Sequence, residues 1–126
     1  MPDAKDLKIL VVDDFSARRI TVINQLNKLG YINTLEAEDG FSALARLKSA
    51  LFDLVVTDCS MSDMSGIDLL KQIRSDSDLK HIPVLMVTSE DLQGNIITAI
   101  KAGLNDYIVW PFEEYTFKQK LEKIFV

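Results

Sequence analysis

Three aspartates stand where short apolar runs of the sequence end. Asp13 and Asp14 follow one such run, Asp58 ends a second, and the hydroxyl residue Thr88 ends a third. Carboxylates that share one cleft raise one another's pKa and destabilise the fold unless a cation compensates them. Hard oxygen ligands, few in number and with room for water, suit Mg²⁺. The three aspartates are therefore candidate ligands of that ion, provided that the fold brings them together.

The elements that would position these residues alternate between strand and helix. Apolar β-branched runs predict five strands, and segments with an apolar residue every three or four positions predict five helices. The predicted strands are Lys8–Val12, Ile32–Glu36, Asp53–Thr57, Pro83–Val87 and Asp106–Val109, and the predicted helices are Ser16–Leu29, Phe41–Ala50, Ile67–Arg74, Leu92–Ala102 and Glu113–Phe125. Gly30 and Gly103 would end the first and fourth helices as C-caps. Leu44, Leu47 and Leu51 are expected to face the core from the second helix.

This alternation predicts an α/β fold in which residues 1–126 form one domain. Strands that are apolar on both faces indicate a parallel sheet covered by helices on both sides. In such a sheet, sites form beyond the carboxyl ends of the strands, where Asp13, Asp14, Asp58 and Thr88 would meet. A single strand-end aspartate is as readily a helix cap or a solvated loop residue. Three of them at one sheet edge favour a site.

Composition narrows the function classes. The chain has 126 residues, a formal net charge of −5 and a pI of about 4.8, which argues against nucleic-acid binding. No apolar run reaches the length of a membrane span, so no membrane insertion is expected. The start of the sequence does not resemble a secretory signal. The single cysteine, Cys59, allows no internal disulfide, and the cytoplasm is the expected compartment.

Several motifs together resemble the receiver domain of two-component response regulators, most of all single-domain chemotaxis regulators of the CheY type. They are VVDDFS, the strand-end Asp58, MSDMSGIDLLKQIR, PVLMVTSE and YIVWPF, and the resemblance covers essentially the whole chain. It implies a doubly wound, flavodoxin-like (βα)5 fold with strand order 2-1-3-4-5. It also implies a phosphorelay protein that accepts a phosphoryl group from a histidine kinase. Such a protein autophosphorylates and autodephosphorylates but is not a conventional enzyme.

The resemblance assigns the chemistry of the site. Asp58 would be the phosphoacceptor, a carboxylate nucleophile. Asp14 and Asp58 would bind Mg²⁺ directly, Asp13 would hold it through water, and the main-chain carbonyl of Ser60 would complete the protein ligands. The ion would neutralise charge that develops on the phosphoryl oxygens.

The expected switch consists of Thr88, Tyr107 and Trp110. Thr88 would bond a phosphoryl oxygen and Tyr107 would follow it inward. Trp110 departs from the family pattern, in which a lysine precedes the proline and reaches the phosphorylated aspartate. Because tryptophan offers one N–H and no charge, its presence should cost about 1–3 kcal/mol of active-state stabilisation. The Trp110–Pro111 bond is expected to be cis, as in the family.

No lysine or arginine of the motif is expected to replace the missing charge, and Lys101 is expected to face solvent. Chemistry at Asp58 could persist while its coupling to Thr88 and Tyr107 fails. The alternative function is a pseudo-receiver, an interaction module that binds partners without phosphorylation.

The resemblance also places a partner-binding surface on the fourth helix, the fifth strand and the fifth helix. Its candidate positions are Asp91, Gln93, Ile96, Ile100, Leu104, Tyr107, Val109, Lys120 and Lys123. The apolar stripe of Ile96, Ile100 and Leu104 is either core or an exposed patch for an amphipathic helix. The two lysines either meet an acidic peptide or form a solvated face. A CheA-like sensor histidine kinase is the expected partner, a flagellar motor switch protein and a phosphatase are further candidates, and the chain is expected to be a monomer.

Overall fold

The computed structural model describes residues 3–89 and 93–126, with five strands and five helices in alternation after a 3₁₀ turn at Ala4–Asp6. The strands are β1 (Lys8–Val12), β2 (Asn33–Ala37), β3 (Leu54–Asp58), β4 (Val84–Thr88) and β5 (Asp106–Val109). The helices are α1 (Ser16–Lys28), α2 (Gly40–Ser49), α3 (Gly66–Ser75), α4 (Gln93–Lys101) and α5 (Glu114–Phe125). Every predicted element is present, and the predicted ends differ by at most one residue. The predicted start of the fourth helix, Leu92, lies outside the described residues.

The five strands form one parallel sheet in the order β2-β1-β3-β4-β5, which confirms the predicted fold. Every residue of β3 and β4 is buried, as expected for central strands covered on both faces. Because successive side chains of a strand point to opposite faces, the core has two halves. Leu10 and Val55 pack with α2, α3 and α4 on one face, whereas Ile9 and Leu54 pack with α1 and α5 on the other.

Two glycines end helices as predicted. Gly30 and Gly103 have φ angles of +96° and +103°, a region that residues with a side chain rarely adopt. One expectation for the core is wrong, since Leu51 is 89% exposed. Helix α2 ends at Ser49 and the chain is extended at Ala50, so Leu51 no longer follows the helical stripe. Within the described residues, no helix is long and apolar enough to cross a membrane.

The first turn of α3 is held against the end of β3, next to Asp58. The Gly66 N–H donates to the Cys59 carbonyl oxygen at 2.9 Å, and the Ser65 hydroxyl accepts a capping bond from the Asp68 N–H at 3.1 Å. A Cβ atom at position 66 would overlap the main-chain carbonyl oxygen of Asp58. Glycine at this position therefore lets the helix approach the strand end closely enough to fix the loop after Asp58.

We expect Gly66→Ala to destabilise the protein by about 1–3 kcal/mol, the usual cost of forcing atoms into a packed site. The loss should appear even though alanine favours helix by about 1 kcal/mol over glycine. Urea denaturation followed by circular dichroism measures it. Gly40→Ala is the comparison variant, because the nearest atoms that its added Cβ would meet belong to the Met64 side chain and lie at 2.5–2.9 Å, whereas the nearest atom at Gly66 is a backbone oxygen at a still shorter distance. A loss at Gly66 no larger than the loss at Gly40 would contradict the close approach described above.

Candidate functional site

Three carboxylates meet at the edge of the sheet where β1 and β3 end. Asp13 and Asp14 follow β1 directly, Asp58 is the last residue of β3, and the two strands are paired up to Val12 and Thr57. Asp13, Asp14 and Asp58, hereafter the acidic cluster, each offer an oxygen atom within 4.8 Å of the others. Asp13 and Asp58 are only 3% and 6% exposed, whereas Asp14 is exposed. The structure thus brings together the three residues singled out from the sequence.

An arginine from α1 lies on this cluster. Arg18 Nε donates to Asp13 Oδ2 at 2.6 Å, and Arg18 Nη2 donates to Asp13 Oδ1 at 3.1 Å and to Asp58 Oδ2 at 2.8 Å. The expectation that no lysine or arginine of the motif replaces the missing charge did not consider Arg18, which lies outside the motif and contacts both carboxylates. A cation in the first turn of the helix after β1 is visible in the sequence. The sequence does not show whether Arg18 or Arg19 turns inward.

The neighbouring arginine turns toward β2. Arg19 Nε donates to Glu36 Oε1 at 2.7 Å, and Arg19 Nη1 donates to the Asp13 main-chain oxygen at 2.7 Å. Asp13 also accepts the Phe15 N–H at 2.9 Å, and Asp14 accepts the Ser62 N–H at 3.1 Å. The chain between β1 and α1 is thus fixed on both sides of the acidic cluster.

Opposing effects act on the pKa of the Asp58 carboxyl group. The pKa of Asp58 is raised to about 6, first by burial and then by the neighbouring Asp13 charge, while Arg18 and the Cys59 N–H act in the opposite direction. The pKa of Arg18 is raised, first by its hydrogen bond to Asp13 and then by the charges of the cluster. Above pH 6, the ionised Asp58 therefore depends on a nearby cation.

A cavity of about 120 Å³ opens above Asp58. Its lining includes Arg18, Asp58, Ser60, Val87, Thr88, Ser89 and Trp110. Thr88 is buried, and its carbonyl oxygen accepts the Trp110 N–H at 2.7 Å. The Trp110 ring stands edge-on to Phe112, with ring centroids 5.5 Å apart, and packs against the core on the α1 and α5 side. The Trp110–Pro111 bond is cis, as predicted. Trp110 therefore contributes packing, and no charge, to this cavity.

A second, more apolar cavity of about 630 Å³ lies between α4 and β5. Its lining, hereafter the α4–β5 groove, includes among the described residues Thr88, Ser89, Ile96, Ile97, Ile100, Tyr107 and Val109. Ile96 is 8% exposed and belongs to the core, whereas Ile100 is 55% exposed. Leu104 packs partly buried against the core. The predicted stripe is therefore core at Ile96 and, in part, at Leu104, and an exposed patch at Ile100.

The remaining residues of the predicted partner surface differ in their surroundings. Lys120 Nζ lies 3.1 Å from Asp106 Oδ1 and 5.4 Å from the centre of the half-buried Tyr107 ring, so it is paired rather than freely solvated. Lys123 is exposed, and Lys101 faces solvent as expected. Asp91 lies outside the described residues, as does the side chain of Gln93.

Comparison with known proteins identifies the family. Residues 9–122 match the response regulator receiver domain, and the chain belongs to that family. It is 57% identical over 121 residues to chemotaxis protein CheY-3 of Vibrio cholerae serotype O1, covering 96% of this chain and 93% of that protein. It is 53% identical over 119 residues to chemotaxis protein CheY of Pseudomonas aeruginosa, covering 94% and 96%. The chain is a receiver domain of the CheY type, from two-component signalling.

Solved structures agree with this assignment. Vibrio cholerae CheY4 superposes with a TM-score of 0.86 at 32% identity, covering 94% of this chain and 98% of that one. The receiver domain of a sensor histidine kinase from Pseudomonas aeruginosa superposes with a TM-score of 0.85 at 26% identity, covering 95% and 98%. That second structure holds a magnesium ion coordinated in its active-site cleft.

We expect Asp58 to lower the stability of the folded protein only at pH values where its carboxyl group is ionised. Its folded pKa of about 6 exceeds the ordinary value of 3.8, so between these pH values the folded chain binds more protons than the unfolded chain. The contribution of Asp58 to stability therefore falls as the pH rises from about 4 to about 6, and stays low above that. In EDTA, Asp58→Asn should be more stable relative to the parent at pH 7.5 than at pH 4.

Urea denaturation of both proteins at the two pH values measures this difference. Asp63→Asn, at an exposed loop position, controls for the loss of one carboxylate elsewhere. A stability difference between parent and Asp58→Asn that does not change with pH would show that Asp58 ionises in its ordinary range.

Proposed function

We propose that Asp58 accepts a phosphoryl group from the phosphohistidine of a sensor kinase, and that this modification changes partner binding. The observation that carries the proposal is the position of the Asp58 carboxylate. It lies at the end of β3, beside two further carboxylates and below an open cavity. In the transfer, an Asp58 oxygen bonds to phosphorus while the bond from phosphorus to the histidine nitrogen breaks. The phosphohistidine ring, protonated on its other nitrogen, keeps that proton and leaves as neutral imidazole, with the electron pair of the broken bond on the nitrogen that held phosphorus.

Mg²⁺ fits the acidic cluster. All three side chains are hard oxygen donors, their oxygens lie within 4.8 Å of one another, and the exposed Asp14 leaves an open side for water. Asp14 and Asp58 would hold the ion directly, with Asp13 acting through water and Ser60 offering its main-chain carbonyl. When bound, the ion supplies charge neutralisation at the phosphoryl oxygens. The magnesium ion in the related kinase receiver supports this assignment.

Thr88 and Tyr107 would transmit the modification to the α4–β5 groove. Thr88 ends β4, lines both the cavity above Asp58 and the groove, and is paired with Val109 of β5. A phosphoryl oxygen on Asp58 would attract the Thr88 hydroxyl, and the half-buried Tyr107 ring could then turn into the space released. The groove, with the exposed Ile97 and Ile100 at its rim, suits the apolar face of a partner helix. Histidine kinases are the partner class of the family, and a motor switch protein and a phosphatase remain proposals.

One observation favours a second function. Trp110 supplies no charge where the family has a lysine, which is compatible with a pseudo-receiver that binds partners without phosphorylation. Such a protein would keep the fold and the α4–β5 groove and would lack phosphoryl uptake.

We expect the protein to gain one phosphoryl group when incubated with Mg²⁺ and acetyl phosphate, because the small donor needs only the nucleophile and the ion. Intact mass spectrometry measures the gain. Asp58→Asn and a parent sample in EDTA should both remain unmodified. If the parent stays unmodified while its circular dichroism spectrum is native and it binds Mg²⁺, the pseudo-receiver function replaces the proposal.

A further inference from the structure

The cavity above Asp58 contains a charge that the family motif does not predict. Trp110 brings an indole ring to this cavity, and Arg18 brings a guanidinium. Arg18 already contacts Asp58, at 2.8 Å. The charge missing from β5 is thus present on α1, a few ångströms from the carboxylate that would carry the phosphoryl group.

We propose that Arg18 supplies to the phosphoryl group on Asp58 the positive charge that Trp110 cannot supply. This inference rests on the proposed function, since it assumes that Asp58 is phosphorylated. Arg18 would be a phosphoryl-binding residue that replaces the family lysine from a different element of the fold.

The charge balance of the site supports a second cation. A phosphoryl group with about two negative charges, together with Asp13 and Asp14, carries about four, and a divalent ion neutralises two of them. Arg18 reduces the remaining two to one. Because the cluster is largely buried, this remaining charge is poorly screened by water, so the added cation is worth more than it would be at an exposed position.

The geometry of the guanidinium suits this role. It has five N–H donors in a planar fork, so it can bond a carboxylate and a phosphoryl oxygen at the same time. The Arg18 side chain is 25% exposed, and its Cζ lies 5.8 Å from the centre of the exposed Phe15 ring. The side chain therefore has room to move from the Asp13 oxygens toward a group attached to Asp58 without leaving the cavity that it lines.

The same contacts make Arg18 a competitor of the metal ion. Arg18 bonds oxygens of Asp13 and Asp58 that belong to the acidic cluster. Binding of Mg²⁺ must displace at least part of these bonds. Arg18 should therefore weaken Mg²⁺ binding and strengthen binding of a phosphoryl anion, two effects of opposite sign that a merely structural role would not produce.

Calorimetric titrations of the intact chain test the proposal with beryllofluoride, which mimics a phosphoryl group on aspartate. Mg²⁺ is titrated first, and beryllofluoride is then titrated at saturating Mg²⁺, so that the two effects are separated. Arg18→Met removes the charge and keeps an unbranched stem. We expect it to bind Mg²⁺ several-fold more tightly and beryllofluoride about ten- to a hundred-fold more weakly, the range for loss of a charge-assisted contact. Arg46→Met, at an exposed position on α2, should change neither affinity.

A rescue variant tests whether Arg18 and the family lysine are equivalent. Trp110→Lys should restore beryllofluoride binding in the Arg18→Met background and should have a smaller effect in the parent, where the charge is already present. Arg18→Lys keeps the charge and should retain most of the affinity. It also tests the proposal if Arg18→Met fails to fold.

Three results would overturn the inference, and the third differs from the first two because it overturns the proposed function as well. If Arg18→Met binds Mg²⁺ more tightly but beryllofluoride as the parent does, or if Arg18→Lys loses as much affinity as Arg18→Met, Arg18 is only a counter-ion of the metal-free cluster. The proposed function would then stand. If the parent itself binds no beryllofluoride at saturating Mg²⁺, the proposed function fails and the inference fails with it.

Discussion

Ionised carboxylates at a buried sheet edge require a cation, and the arrangement of the site depends on this constraint. Asp13 and Asp58 are almost fully buried, and burial together with the Asp13 charge raises the pKa of Asp58 to about 6 against the opposing effect of Arg18. Arg18 supplies one such cation, through contacts with both carboxylates. The parallel sheet brings the carboxylates together because β1 and β3 end side by side. Helix α1 starts three residues after Asp13, so a residue of its first turn, Arg18, can reach them.

In the cavity above Asp58, one lining residue supplies charge and another supplies apolar packing. On the α1 side, Arg18 contacts the carboxylates directly. On the β5 side, Trp110 packs on Phe112 and on the core, while its main chain bonds Thr88. In this chain, Arg18 of α1 supplies a charge to the cavity, and Trp110 adds to the apolar core on the α1 and α5 side of the sheet.

The alternation of strands and helices and the acidic cluster could be predicted because both follow from local patterns, whereas the strand order was implied by the family resemblance. Apolar runs placed Asp13, Asp14 and Asp58 at strand ends, and the rules for parallel sheets then placed them together. The sequence did not predict the pairing of Arg18 with Asp58, since the two residues are 40 positions apart and the pairing depends on which way a helix faces. Leu51 was predicted wrongly for a related reason, because the extended backbone that ends α2 is not visible in the apolar periodicity.

The central claim is that the acidic cluster always holds positive charge, from Arg18 in the metal-free chain and from Arg18 together with a divalent ion in the phosphorylated state. A crystal structure with Mg²⁺ and beryllofluoride at neutral pH tests this most directly. The account predicts one ion on the oxygens of Asp14 and Asp58, with the Arg18 guanidinium about 2.7–2.9 Å from a fluorine atom that mimics a phosphoryl oxygen. An ion bound away from the cluster, or an Arg18 side chain directed into solvent, would contradict it.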